Sequence, residues 1–106
     1  MFKSKDEAVV RNMGEGVTRN VLLSCGKLMA VRFDFKKGAV VNQHSHPHEQ
    51  IGYIVQGSFE FTIGGETRVL KAGDSYYMPS NIVHGAKAIE ESVALDIFTP
   101  VREDYL

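Results

Sequence analysis

Apolar and polar residues alternate along most of this chain, in short runs. Lys27 to Phe35 sets Leu28, Ala30 and Arg32 against Met29, Val31 and Phe33. Successive side chains of a strand point to opposite faces, so this run predicts a strand with one face toward a core. Val17 to Ser24, rich in apolar and β-branched residues, predicts another. Ile51 to Val55, Ser58 to Ile63, Glu66 to Leu70, Ser75 to Met78, Val83 to Ile89 and Ser92 to Phe98 continue the series. Turn signals separate them: Cys25-Gly26, Lys36-Lys37-Gly38, Gln56-Gly57, Ala72-Gly73-Asp74 and Pro79-Ser80-Asn81. Gly64-Gly65 predicts a two-residue hairpin, because both glycines can take the positive φ of a type I′ turn. No segment carries a helical period with caps. Roughly eight to ten short strands, with turn signals about every 8 to 12 residues, predict an all-β sandwich or barrel.

The 106 residues allow one core, so residues 1–106 are read as a single domain, with 1–12 and 100–106 as terminal segments. The formal net charge of −1 offers no basic surplus for nucleic acid or an anionic membrane. No apolar run approaches the roughly 20 residues of a membrane span, and the first residues, MFKSKDEAVV, hold no signal-peptide core. The single cysteine, Cys25, has no partner for an intramolecular disulfide. A cytoplasmic protein is expected.

Three of the four histidines fall within five residues, at His44, His46 and His48. On a strand, His44 and His46 would share a face, the spacing at which two imidazoles grip one metal ion. Pro47 disturbs the pleat, so alternation alone leaves His48, Glu49 and Gln50 open as the next ligand. Intrinsic affinity would favour the imidazole of His48.

Two longer spacings narrow the choice. Gly38, five residues, His44-x-His46, three residues, Gln50, six residues and Gly57 resemble the first motif of the cupin family. Gly73, five residues, Pro79, one residue, Asn81, two residues and His84 resemble the second. The resemblance implies an all-β double-stranded β-helix, the jelly-roll barrel. It also implies metal ligation by His44, His46, Gln50 and His84, with His48 left at the rim or without a role. Asn81 stands where that motif usually has Gly, and Asn tolerates positive φ better than most residues. Gln50 stands where many cupins have Glu. Three imidazoles and an amide leave a dication's charge uncompensated, which attracts an anionic ligand.

The stretch from His44 to Asp74, together with LDIFTPVREDYL at the end, is similar to the KdgF family of pectin-degradation proteins. This resemblance implies one divalent transition metal per chain, Ni, Zn, Mn, Fe or Co. It implies a small sugar-acid substrate, the 4,5-unsaturated monouronates released by pectate and alginate lyases, converted to the linear ketonised form. It further implies catalytic roles for Asp96, Phe98 and Arg102: proton transfer for Asp96, shaping of the pocket for Phe98, and a bidentate hold on the substrate carboxylate for Arg102. Asp96 is unusual on its own account, an acid within the apolar run Val93 to Phe98. Tyr53, Gln56, Tyr76, Tyr77 and Met78 are further candidates to line the cavity. A homodimer is expected, since small cupins commonly pair through sheet edges. Two other readings stay open: a metal-dependent cupin dioxygenase, and a non-catalytic sugar-acid-binding cupin.

Overall fold

A computed structural model describes all 106 residues. Ten strands follow in chain order: β1 (Val10–Gly14), β2 (Val17–Cys25), β3 (Leu28–Phe35), β4 (Val40–His44), β5 (Glu49–Gln56), β6 (Ser58–Ile63), β7 (Glu66–Lys71), β8 (Ser75–Met78), β9 (His84–Ala88) and β10 (Ser92–Thr99). Single 3-10 turns at Lys5–Glu7 and Glu103–Tyr105 flank them. No helix is long and apolar enough to cross a membrane.

The strands form two antiparallel sheets, ordered β1-β2-β3-β10-β5-β8 and β4-β9-β6-β7. From β3 onward the chain crosses repeatedly between them, and the sheets face each other as a jelly-roll barrel. The alternation in β3 explains why: Met29, Val31, Phe33 and Phe35 are buried, while Leu28 and Arg32 are exposed. Phe59 and Phe61 of β6 complete the opposing face. Phe35 meets Phe59 edge-on at 4.9 Å, and Phe61 lies 4.3 Å from the ring of Tyr76 on β8. Fully burying each such ring stabilises the fold by about 1.5 to 3 kcal/mol. The Gly64-Gly65 hairpin between β6 and β7 has φ values of 57° and 84°, the left-handed pair that its turn requires.

Register separates the barrel's two ends. At one end Phe59 pairs with Ala88, both fully buried, and hydrocarbon fills the interior. At the other, His84 pairs with His44 and with Ile63, while Phe98 and Met78 pair with Gln50 across the facing sheet. The polar residues of interest therefore collect at one mouth of the barrel.

Two strands carry no alternation in the sequence. β1 begins inside what reads as an N-terminal segment; only Met13 of its five residues is even half-buried, so backbone pairing with β2 rather than a core face defines it. β4 is likewise mostly exposed, and its pairing with β9 shifts register between Val41 and His44. It ends at His44. His46 thus lies beyond the strand, and its position next to His44 does not come from strand alternation.

Candidate metal and substrate site

His44 closes β4 opposite His84, which opens β9, and the loop from Ser45 to His48 folds His46 back over both. The rings lie 4.4 Å (His44–His84), 4.8 Å (His46–His84) and 5.7 Å (His44–His46) apart. One nitrogen of each falls within 4.8 Å of the others, so the group is able to hold a metal ion. Its tautomers are fixed by the backbone. His44 Nδ1 donates to the Asn42 carbonyl at 2.9 Å, His46 Nδ1 to His48 at 3.0 Å and His84 Nδ1 to Ile82 at 3.0 Å. Every neutral ring therefore keeps its lone pair on Nε2. Burial lowers the pKa of His84 to about 4 and lowers that of His46, where the positive charge of Arg102 adds to the effect. His46 and His84 are thereby held toward the neutral form, the form that ligates metal.

Gln50 adds a fourth donor. Its Oε1 sits 3.2 Å from His46 Nε2. With the His46 proton on Nδ1, these two atoms are both acceptors, and a shared cation is what such a pair suits. The donor set of three imidazoles and a carboxamide therefore fits a divalent transition metal.

Asp96 on β10 is 3 % exposed and lies opposite Gly52 of β5. Burial pushes its pKa up to about 7, against the opposing pull of hydrogen bonds from Tyr76 and Gln50. The Tyr76 hydroxyl donates to Asp96 Oδ1 at 2.5 Å. An amide at position 50 can turn its oxygen to the histidines and its NH2 to Asp96; a carboxylate could not donate to Asp96 at all.

Phe98, two residues along β10 and on the same inward face, is fully buried, its ring 5.9 Å from that of His46. Arg102 is not a solvated end charge, for its side chain is only 11 % exposed. Its Nε and Nη2 donate to Asp104 at 3.2 and 2.8 Å, and its guanidinium lies 4.2 Å from the Tyr105 ring and 5.3 Å from that of Phe98. Asp104 and Tyr105 are the functional surroundings that the sequence does not reveal. They sit in a terminal segment without pattern, and only the closing 3-10 turn brings them onto Arg102.

An open cavity of about 70 Å3 joins these groups, with His44, Gln50, His84, Asp96 and Arg102 as its polar lining and Phe33, Phe35 and Phe61 toward the core. Tyr76 and Met78 line it as well. Tyr53, Gln56 and Tyr77 do not: all three are exposed. His48 contributes its carbonyl to His46, and its ring lies 5.5 Å from that of His46, but the residue lines a separate groove with Lys27 and Asp104 and not the cavity.

A family model described as Cupin domain matches residues 31–98, a span that holds the three histidines, Gln50, Asp96 and Phe98. Pectin degradation protein KdgF of Dickeya dadantii (strain 3937) is 43% identical over 103 residues, covering 95% of this chain and 94% of that one. The chain is a cupin of the KdgF family. The solved structure of KdgF from Halomonas sp. superposes with a TM-score of 0.93 at 40% identity, covering 100% of this chain and 98% of the other. Arg102, outside the cupin-domain span, thus falls inside a KdgF likeness. An RmlC-like cupin from Shewanella frigidimarina NCIMB 400 gives a TM-score of 0.94 at 36% identity, over 99% of this chain and 95% of that chain.

Proposed function

We propose that this KdgF-family cupin is a metal-dependent enzyme that converts 4,5-unsaturated monouronates, from pectin or alginate breakdown, into linear ketonised uronates. The observation that carries the reading is one cavity that joins clustered imidazoles and a carboxamide to a carboxyl with a near-neutral pKa and a largely covered guanidinium. His44, His46, Gln50 and His84 would hold the ion. When bound, it supplies uncompensated positive charge and Lewis acidity toward the oxygens of an anionic substrate.

The chain's own residues account for the remaining needs. The substrate is an enol ether, and ketonisation requires a proton at C4, addition of water at C5, and scission of the C5–O bond of the resulting hemiketal. Asp96, whose pKa burial raises to about 7 in the metal-free protein, is suited to giving and taking these protons. Arg102 presents a planar fork that suits the substrate carboxylate, and its stacking on Tyr105 and Phe98 fixes the plane of that fork. Phe98 walls the pocket between Asp96 and His46.

Mixing the purified protein with an unsaturated monouronate and following the ultraviolet absorbance of the C4=C5 bond tests the proposal. Absorbance should fall, and chelation of metal should stop the fall. Uronate binding without turnover would leave only a binding protein, and oxygen consumption would point to dioxygenase chemistry.

The cytoplasm is the expected setting, in keeping with a free Cys25 at the surface. The working unit is taken to be a homodimer. On the outer face of the six-stranded sheet, Tyr77, Ile51 and Ile97 stand in one cross-strand row beside Tyr53, and all four are exposed. Such an apolar row favours cover by a second copy. Light scattering of the eluting protein would show twice the 11.8 kDa chain mass.

A further inference from the structure

Asp96 and Tyr76 approach each other across a strand that belongs to neither. Both β10 and β8 flank β5, and Gly52 of β5 is the register partner of Asp96 on one side and of Tyr76 on the other. A Cβ at position 52 would stand 1.9 Å from Tyr76 Cζ and 2.2 Å from Asp96 Oδ1. Only the missing side chain of Gly52 lets the two inward-facing groups meet. Tyr76 is itself buried, its ring held 4.3 Å from Phe61. The phenol thus has little freedom, and its hydroxyl reaches Oδ1 at 2.5 Å.

Resting on the proposed uronate chemistry, we infer that Tyr76 is a positioning residue for Asp96, and that Gly52 is the opening through which it acts. A Tyr hydroxyl that donates to Oδ1 marks that oxygen as the acceptor. The transferable proton then sits on Oδ2. Without the phenol, the carboxyl can rotate about χ2 and present either oxygen, which costs proton transfer rather than substrate affinity.

The test is a double-mutant cycle between Tyr76→Phe and Asp96→Asn, with metal content measured for every variant before kinetics on the unsaturated monouronate. Tyr76→Phe should lower kcat about ten- to a hundredfold, the range for a hydrogen bond to an ionisable group, with KM unchanged. In an Asp96→Asn background the same substitution should change kcat less than about twofold, because no proton remains to be positioned. A second arm uses Gly52→Ala, which separates the pair sterically; adding Tyr76→Phe to it should bring no further loss. Proton NMR supplies a readout apart from turnover. The wild type should show a downfield hydroxyl resonance that is missing from both Tyr76→Phe and Gly52→Ala. A Tyr76→Phe loss of equal size in both Asp96 backgrounds, a rise in KM alone, or a hydroxyl resonance retained in Tyr76→Phe overturns the inference. Wild-type protein that leaves the substrate unchanged refutes the functional reading instead.

Discussion

Replacing Asp96 by Asn should stabilise the metal-free protein at alkaline pH while disabling it. The folded state pushes the Asp96 pKa from its ordinary 3.8 up to about 7, with burial as the main cause. Between these values the folded protein binds a proton that the unfolded chain does not, so stability falls as pH rises through the window. Below pH 4 the carboxyl is neutral in both states and contributes no penalty. Above pH 7 the penalty is complete. About three units at roughly 1.4 kcal/mol each make it about 4 kcal/mol. Asn keeps an oxygen acceptor for the Tyr76 hydroxyl and never ionises, so the variant escapes the penalty. The gap between variant and wild type should therefore widen by about 3 kcal/mol from pH 5 to pH 8, the span containing two of those units. Urea unfolding in the presence of a chelator, at both pH values, measures the gap; the chelator prevents a bound dication from altering the titration. His46 and His84 titrate in both proteins and largely cancel in the difference. In parallel, kcat of the metal-loaded variant should drop by about two to four orders of magnitude, the range for loss of a general acid or base. A stability gap identical at pH 5 and pH 8 would show that folded Asp96 is already ionised at pH 5, with its pKa not raised by burial, and the reasoning fails.

His84→Ala should strip most of the metal found by elemental analysis, whereas His48→Ala should not, because His48 stands outside the three-imidazole cluster and lines a different groove. Loss of metal from His48→Ala with retention in Gln50→Ala would overturn the ligand set. Gln50→Glu should hold metal at least as tightly, since a carboxylate is the stronger ligand for a dication. It should weaken uronate binding, for it adds a further negative charge beside Asp96 and the substrate carboxylate; calorimetric titration with the uronate decides. Arg102→Lys keeps the charge but loses the fork and the stacking on Tyr105. Its KM should rise more than its kcat falls, and steady-state kinetics showing the reverse split would remove Arg102 from substrate binding.

Period-two alternation is a local property, and wherever one face of a strand is buried the sequence displays it. Met29, Val31, Phe33 and Phe35 alternate because the core lies on one side of β3. The Gly64-Gly65 hairpin is equally local, since two residues decide it. β1 escapes notice for the converse reason: it is an edge strand held by backbone hydrogen bonds, and no core writes a pattern into it. His44 and His46 are legible as a pair, but strand alternation is not what places them together, because β4 stops at His44 and a loop returns His46 to the cluster. The motif spacings bring His84 and Gln50 to the same set, and the structure places both at the same barrel mouth.

What the tertiary structure alone decides is how these groups are tuned. Asp96 stands out in the sequence as an acid in an apolar run, yet its pKa near 7 depends on burial between two sheets. Its bond to Tyr76 spans 20 residues and passes over Gly52, a contact written into no single segment. Arg102 is picked out by the family resemblance, but its covered side chain and the plane of its guanidinium exist only once Asp104 and Tyr105 fold around it. Spacing along the chain fixes which residues are present and which face each can take. Desolvation and charge depend on atoms supplied by strands distant in sequence, and these meet only when the barrel closes.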